Sequence, residues 1–156
     1  MFILRDAEDK IYVEGEEGNK MMKDDCIFCK LANGIFATRS IYEDEDFNVI
    51  LDLSPATKGH ALILPKAHAD NLYELPDETA AKVFVLAKKM AKKMTEELGC
   101  DGFNLVQNNG TVAGQTVFHF HLHLIPRYKE DGQQISWNPT EPSTEELDAV
   151  KELLTK

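Results

Sequence analysis

Cysteine and long apolar runs are both scarce in this sequence, and their scarcity excludes two classes of protein. Three cysteines in 156 residues do not build the disulfide framework of a small secreted domain. No apolar run approaches the ~20 residues that cross a lipid bilayer. The N-terminus offers only Phe2-Ile3-Leu4 before charged residues begin, which is too short for the apolar region of a signal peptide. We therefore expect a cytoplasmic protein with no membrane partner.

Basic residues are also in short supply. Lysine and arginine number 17 against 27 aspartates and glutamates, which gives a net charge of −10. Binding to a nucleic-acid backbone needs clustered lysine and arginine, so we expect no nucleic-acid partner. A small phosphorylated ligand is still compatible with this charge, because local hydrogen-bond donors can hold it.

The rest of the composition is that of an ordinary soluble domain. The chain is 43% hydrophobic and 28% charged, and 156 residues are enough to bury a core. We divide the sequence into an N-terminal extension over 1–24, a central domain over 25–138 and a C-terminal helical tail over 139–156. Within the extension, two apolar triplets flank a polar turn and predict a small hairpin, and residues 14–19 are typical of a linker.

Apolar periodicity predicts an α+β fold for the central domain. Five apolar runs bounded by turn residues indicate strands over 40–43, 47–53, 60–64, 103–107 and 117–125. Helical spacing of apolar residues from Pro76 to Gly99 indicates one long amphipathic helix, and residues 26–32 indicate a short one. The capping box Ser143-Thr144-Glu145-Glu146 begins a C-terminal helix. We expect an antiparallel sheet of about five strands with the long helix packed on it.

The most informative pattern is the segment His119-Phe120-His121-Leu122-His123-Leu124-Ile125, in which histidines alternate with apolar residues. Side chains of an extended strand point to opposite faces with a period of two, so the three imidazoles share one face. Same-face neighbours lie ~6.5–7 Å apart, so the three cannot bind one metal ion as a simple row. The alternative is a set of partly buried, hydrogen-bonded sheet residues. Three alternating histidines nevertheless favour a functional site.

A polar loop precedes this strand. Asn108-Asn109-Gly110 and Gly114-Gln115-Thr116 provide amides, a hydroxyl and backbone N–H groups. Donors of this kind hold phosphate oxygens where no cationic cluster is present. An imidazole that faces them can attack phosphorus, while neighbouring histidines hold charge and protons.

The pair Cys26-Ile27-Phe28-Cys29 is half of a tetrahedral zinc site, which needs four nitrogen or sulfur ligands. On these residues alone, a reduced and metal-free pair stays open as the alternative. We expect Cys100, beside the helix-ending Gly99, to pack in the core.

The segment from His119 to Ile125 resembles the His-φ-His-φ-His-φ-φ signature of the histidine triad (HIT) superfamily, where φ is apolar, and it matches at every position. The resemblance extends over about residues 24–138. It is carried by further segments that begin at Asp24, Ile41, Ile50, Gly59, Pro65 and Gly114. The resemblance implies a HIT-like fold for this domain and a nucleotide as its ligand.

The resemblance also implies roles for four histidines. His121 corresponds to the nucleophile that forms a covalent nucleotidyl-imidazole intermediate, which is then hydrolysed. The backbone carbonyl of His119 corresponds to the group that orients His121. His123 and His60 correspond to the residues that line the phosphate.

The implied nucleotide-binding residues include His121 and His123 themselves. The contacts to the phosphate and the leaving group correspond to Asn108, Gly114, Gln115 and Thr116. Asp52 corresponds to the carboxylate that binds the ribose hydroxyls, and a carboxylate is rarely buried without a partner. The apolar slot for the base corresponds to Phe28, Leu31, Phe36 and Ile50, which could equally be core residues, and Leu53 is counted with the nucleotide contacts.

For members with this cysteine pair, the resemblance implies a zinc ion bound by Cys26, Cys29, His68 and the side chain of His119. A site of two cysteines and two histidines is closed, so the metal would be structural and would not activate water. We expect zinc in preference to a metal-free pair, and no cofactor that the chemistry requires.

Trp137 resembles the tail of the nucleotide-binding phosphoramidase branch of the superfamily, whereas Ala37 departs from it, because members of that branch often have proline there. The predicted function is hydrolysis at the α-phosphate of a purine nucleotide, of the adenosine 5′-phosphoramidate type, through a covalent nucleotidyl-histidine. The alternatives are a diadenosine polyphosphate hydrolase and a nucleotide-binding interaction protein with incidental hydrolysis. A metal hydrolase fits less well, because of the strand geometry.

The resemblance further implies a homodimer, since related proteins pack the long helix and a sheet edge across a two-fold axis. Two methionines of the long helix, Met90 and Met94, are candidates for that interface. They could equally belong to an internal core.

Overall fold

The computed structural model describes residues 2–5, 10–14 and 20–156. Eight strands and three α-helices form in these ranges. In chain order they are β1 (Phe2–Arg5), β2 (Lys10–Glu14), β3 (Lys20–Lys23), α1 (Ile27–Ala32), β4 (Ser40–Glu43), β5 (Phe47–Leu51), β6 (Ala61–Pro65), α2 (Asp77–Leu98), β7 (Gly102–Val106), β8 (Leu122–Arg127) and α3 (Thr144–Leu154). A short 3-10 turn, Thr111–Ala113, lies between β7 and β8.

Five of the strands form an antiparallel sheet in the order β4-β5-β6-β8-β7, which confirms the predicted α+β fold. The central strands are buried along most of their length, and α2 packs on one face of the sheet. Phe120, Leu122 and Leu124 enter the core between the sheet and α2. The apolar half of the alternating segment is therefore used as the pattern predicts.

Helix α2 follows the expected start and stop signals. Pro76 is the N-cap residue, the first turn is acidic, and Gly99 ends the helix in the left-handed conformation with φ of 63°. Its buried face includes Met90 and Met94, which lie in the main core cluster, so these methionines serve an internal core. Each helix within the described ranges is too short or too polar to span a membrane.

The strand boundaries near the functional segments differ from the prediction. Strand β8 begins at Leu122, not at residue 117, and it continues through Pro126 to Arg127. In the register of β6 with β8, Ile63 pairs with Leu122, which would bring Pro65 opposite Phe120. Proline has no N–H to donate to the carbonyl of Phe120, and the carbonyl of Pro65 accepts Nε2–H of His119. The N–H of Phe120 binds the carbonyl of Ala69, at 2.7 Å, so the ladder stops before Phe120.

The other boundaries shift by one or two residues. Strand β6 begins at Ala61 and includes Pro65, whereas the sequence predicted 60–64, and β5 ends at Leu51 rather than at residue 53. As a result His60 and Asp52 lie just outside the strands.

The N-terminal strands form a separate antiparallel sheet in the order β1-β2-β3, which contains the predicted hairpin and one more strand. The predicted linker lies outside the described residues over 15–19. Met22 is buried against Cys26 and Cys29. At the other end of the chain, Ser143 and Glu146 form the predicted capping box of α3. The proposed division at residues 24/25 and 138/139 stays a prediction.

Leu124 and Leu105 face each other on β8 and β7 and give a matched test of the core. Leu124 is fully buried, whereas Leu105 is 43% exposed. We expect Leu124→Ala to lower the free energy of unfolding by about 2–5 kcal/mol and Leu105→Ala by much less. Denaturant unfolding of both variants measures the difference, and equal losses would contradict this assignment of the core.

Candidate active site and metal centre

A cavity of about 460 Å³ opens on the sheet face opposite α2. It is lined by these predicted nucleotide-binding residues: Phe28, Leu31, Ile50, Asp52, Leu53, Asn108, Gly114, Thr116, His121 and His123. They come from α1, the end of β5, the loop before β8 and β8 itself. Residues distant in sequence thus surround one space, with apolar groups from α1 and β5 and polar groups from the loop.

His121 is held in one orientation by the backbone. Its Nδ1 lies 2.6 Å from the carbonyl oxygen of His119, so Nδ1 carries the proton and donates it to that oxygen. The lone pair of a neutral ring is then on Nε2. The ring is 7% exposed and contacts Phe28 edge-on, with centroids 5.0 Å apart. Burial lowers the pKa of His121, although the hydrogen bond with His119 opposes the shift.

His123 and His60 form a hydrogen-bonded pair behind His121. The backbone N–H of Ala56 donates to Nδ1 of His60 at 3.0 Å, so a neutral His60 carries its proton on Nε2. That proton is donated to Nδ1 of His123 at 2.9 Å, which leaves the proton of His123 on Nε2. Burial lowers the pKa of His60, and it lowers the pKa of His123 to about 4. All of these rings are therefore neutral near pH 7.

Asp52 completes this part of the cavity. Its Oδ2 lies 3.7 Å from Nε2 of His60, and its Oδ1 accepts the N–H of Ser54 at 2.8 Å. Asp52, His60 and His123 have ligand atoms within 4.8 Å of one another. Because Nε2–H of His60 donates to Nδ1 of His123, hydrogen bonding accounts for the short distances within this group, and no metal ion is needed to explain them.

Three residues predicted to contact the nucleotide, Phe36, Gln115 and His60, are absent from the described residues that line the cavity. His60 is connected to the cavity through its hydrogen bond with His123. Phe36 is 44% exposed and lies under the ammonium group of Lys30. Gln115 is buried and uses its amide within the protein: its Oε1 accepts the N–H of Gly110, and its Nε2 donates to the carbonyls of Asp70 and Val117.

The cavity also includes residues that the sequence reasoning did not assign. These are Thr38, Arg39, Leu51 and Leu62, together with Ala37, which was noted only as a departure. Arg39 is a cation immediately before a predicted strand, which is the one sequence signal that could have drawn attention to it. The apolar members carry no signal that distinguishes them from core residues.

The two cysteines meet two histidines from distant parts of the chain. Nδ1 of His119 lies 3.5 Å from Sγ of Cys26 and 3.4 Å from Sγ of Cys29, and Nδ1 of His68 lies 3.3 Å from Sγ of Cys29. These four ligand atoms form a compact cluster. The cluster and the cavity are separated by Phe28, whose ring contacts both His119 and His121.

The protonation pattern of this cluster suits a metal ion. Nε2 of His119 donates to the carbonyl of Pro65 at 3.0 Å, and Nε2 of His68 donates to Asp70 at 2.6 Å. Both rings therefore present the Nδ1 lone pair to the sulfurs, as metal-binding histidines do. The contact between the two sulfurs lowers the pKa of Cys26 and raises the pKa of Cys29, so Cys26 is the thiolate of the pair. Asp70 was not predicted, although it stands two residues after His68 in the sequence.

The comparison with known proteins places most of this chain in one family. Residues 36–130 match the HIT domain. Protein hit of Bacillus subtilis strain 168 is 45% identical over 115 residues, which are 73% of this chain and 79% of that protein. The adenosine 5′-monophosphoramidase hnt1 of Schizosaccharomyces pombe is 39% identical over 128 residues, 81% of this chain and 93% of that protein. The adenylylsulfatase HINT3 of Arabidopsis thaliana is 37% identical over 118 residues, 76% of this chain and 60% of that protein.

Solved structures share the fold. A protein from Streptococcus mutans UA159 superposes with a TM-score of 0.83 at 36% identity and covers 98% of this chain and 97% of its own. A zinc-bound histidine triad family protein from Mycobacterium smegmatis has a TM-score of 0.68 at 37% identity, covering 84% of this chain and 96% of its own. Given the sequence match over the segment that carries the triad, and these similarities in fold, the chain belongs to the HIT family.

Proposed function

We propose that the protein hydrolyses the bond at the α-phosphate of a purine nucleotide, of the adenosine 5′-phosphoramidate type, through a covalent nucleotidyl-His121 intermediate. The observation that carries this proposal is the hydrogen bond from Nδ1–H of His121 to the carbonyl of His119. It leaves the Nε2 lone pair of a neutral, cavity-lining imidazole free for attack. The relative named as an adenosine 5′-monophosphoramidase supports the same substrate class.

The polarity of the cavity suggests how the nucleotide lies. Thr116, Asn108 and the backbone of Gly114 would hold the α-phosphate next to His121 and His123, because these residues offer hydrogen-bond donors without a cluster of cations. Asp52 would accept the ribose hydroxyls. The apolar wall formed by Leu31, Ile50 and Leu53 would hold the base. The role of Phe36 as a base contact stays a prediction from the resemblance.

The chemistry proceeds in two displacements. Nε2 of His121 forms a bond to phosphorus, and the P–N bond breaks, so that the leaving amine takes the bonding electron pair and accepts one proton from solvent. A water molecule then bonds to phosphorus, the bond from phosphorus to Nε2 breaks with its electron pair returning to Nε2, and the water releases one proton to solvent. The two steps sum to hydrolysis of the P–N bond by one water and regenerate His121. The Nε2–H of His123 donates a hydrogen bond to the phosphoryl oxygens in both steps.

The leaving group is the least defined part of this proposal. Relatives of this chain are named as a phosphoramidase and as an adenylylsulfatase, which differ in the group attached to the nucleotide. A diadenosine polyphosphate hydrolase would use the same attack at phosphorus with a nucleotide as the leaving group. Comparing kcat/KM for the three kinds of substrate distinguishes them.

The variant His121→Ala tests the nucleophile. We expect it to lower kcat for adenosine 5′-phosphoramidate by about 10³-fold or more, because the variant loses the imidazole that forms the covalent intermediate. The affinity for adenosine monophosphate, measured by calorimetry, is the control, and we expect it to stay within about tenfold of the original. Turnover close to that of the unmodified protein would reject His121 as the nucleophile.

The pH profile tests the neutral state of the cavity histidines. Burial lowers the pKa of His121, and it lowers the pKa of His123 to about 4, so both rings stay neutral at pH values where an exposed histidine is protonated. We expect kcat/KM to be constant from about pH 8 down to 6.5 and to fall only at lower pH, as the attacking lone pair is protonated. An acid limb centred above pH 6.5 would contradict this description of the site.

We further propose that Cys26, Cys29, His68 and His119 bind a structural zinc ion. Two sulfurs and two unprotonated Nδ1 atoms are the donor set of a closed tetrahedral site, and the zinc-bound relative supports the choice of metal. When bound, zinc would crosslink α1 to the segments that carry His68 and His119. The homodimer and the cytoplasmic location are predictions from the sequence.

Metal analysis tests the zinc site. We expect about one zinc ion per chain in protein purified without chelator, and Cys26→Ser to lose it, because a tetrahedral site cannot keep its affinity with three ligands. Cys100→Ser is the matched control, since Cys100 is a buried cysteine outside the cluster and should keep the metal. A protein free of zinc, or a Cys26→Ser variant that retains it, would refute the assignment.

A further inference from the structure

We infer that the metal centre positions the nucleophile: His119 gives its imidazole to the cysteine cluster and its carbonyl to His121, so that metal binding fixes the orientation and the tautomer of His121. This inference rests on the proposed function, because it concerns the group that attacks phosphorus. It makes His119, Asp70 and Gln115 positioning residues, since none of them lines the part of the cavity that the structure describes.

The connection through His119 is direct. Its imidazole is fully buried, with Nδ1 within 3.5 Å of both sulfurs and Nε2 bound to the carbonyl of Pro65. The carbonyl of the same residue accepts Nδ1–H of His121 at 2.6 Å. Two sites on either side of Phe28 are therefore joined by the backbone of one residue.

The sheet does not fix this carbonyl. Strand β8 begins at Leu122, so the peptide groups of His119 and Phe120 precede the regular ladder. Their anchors are the imidazole of His119 and the bond from the N–H of Phe120 to the carbonyl of Ala69. Ala69 lies between His68, a cluster histidine, and Asp70. Both anchors therefore lead to the metal centre.

Asp70 extends the connection to the phosphate loop. Its carboxylate accepts Nε2–H of His68, and its backbone carbonyl accepts Nε2–H of Gln115, both at 2.6 Å. Oε1 of Gln115 accepts the N–H of Gly110 at 2.8 Å. One residue thus orients a metal ligand and, through a buried amide, holds the loop that would bind the phosphate.

Phe28 provides a second route. It lies between the two cysteines on α1, and its ring contacts His121 at a centroid distance of 5.0 Å. A metal ion bound to both sulfurs would fix the start of α1 and hence this ring. The imidazole of His121 would then be held on one side by the carbonyl of His119 and on the other by Phe28.

The tautomer of His121 decides whether its Nε2 can attack phosphorus. A neutral histidine free of constraints prefers the proton on Nε2, which would occupy the atom that has to attack. The carbonyl of His119 reverses that preference by accepting a hydrogen bond from Nδ1. A bond of ~2.0–2.1 Å from a zinc ion to Nδ1 would hold His119 more firmly than its contacts of 3.4–3.5 Å with the two sulfurs.

The first experiment compares zinc-loaded protein with protein stripped by a chelator, at one fixed alkaline pH and below the unfolding temperature of both. Nitrogen-15 NMR of the ring of His121 reports its tautomer. We expect the Nδ1–H form when zinc is bound and a mixture with the Nε2–H form after stripping. We also expect kcat to fall by about 10- to 100-fold while adenosine monophosphate still binds, because orientation is lost rather than the cavity. The same tautomer and the same kcat in both samples would overturn the inference.

The second experiment keeps all four ligands, needs no chelator and compares only zinc concentrations at which circular dichroism shows the protein to be folded. Asp70→Asn weakens the acceptor of His68 and should lower zinc affinity by about 10- to 100-fold. We expect its His121 signal to shift to the Nδ1–H form only at higher zinc concentration, and saturating zinc to restore both signal and kcat. Asp101→Asn, at an exposed turn, is the matched control and should titrate like the unmodified protein. A His121 signal that is independent of zinc in Asp70→Asn would also overturn the inference.

The tautomer measurement needs no turnover. If neither sample hydrolyses the phosphoramidate, the proposed function fails. The comparison of His121 with and without zinc still decides the inference.

Discussion

The hydrogen bond from Nδ1–H of His121 to the carbonyl of His119 determines which chemistry this site can perform. An imidazole has two nitrogens, and a proton fixed on one of them leaves a lone pair on the other. The backbone supplies this constraint, so it needs no additional side chain in the cavity. The same logic governs the neighbouring pair, in which the N–H of Ala56 fixes His60, and His60 in turn fixes His123. Two backbone groups, the carbonyl of His119 and the N–H of Ala56, thus determine where the protons of these three histidines lie.

Burial keeps these histidine rings neutral near pH 7, so each ring has one nitrogen with a lone pair. A protonated ring has no lone pair, and an exposed histidine would be partly protonated at mildly acidic pH. Removal from water lowers the pKa of His60, His121 and His123, while Asp52 opposes the effect without reversing it. Neutral rings and backbone donors suit an anionic ligand that would bind without a cluster of cations. This agrees with the composition of the chain, in which acidic residues outnumber basic ones and the net charge is −10.

The residues of the segment from His119 to Leu124 lie in three environments: the core, the cysteine cluster and the cavity. Phe120, Leu122 and Leu124 fill the core against α2, and this fixes the segment in depth and direction. The three histidines point to two sites, because strand β8 begins only at Leu122. His119 contacts the cysteines, whereas His121 and His123 line the cavity. A regular strand over the whole segment would have placed the three rings in one row.

Three local features could be read from the amino-acid sequence: which residues of the triad segment face the core, where α2 begins and ends, and the spacing of two cysteines by one helical turn. These features follow from side-chain periodicity and capping, which act over a few residues. The resemblance added the grouping of Cys26 with His68 and His119, and the tertiary structure brings their ligand atoms together. Other features follow from contacts between distant segments: β8 starts at Leu122, Gln115 points into the protein, Phe36 lies outside the cavity wall, and Thr38 and Arg39 are part of that wall. These features depend on which strands pair and on where the ladder between β6 and β8 stops. The pairing of two distant segments is not visible in the periodicity of either segment alone.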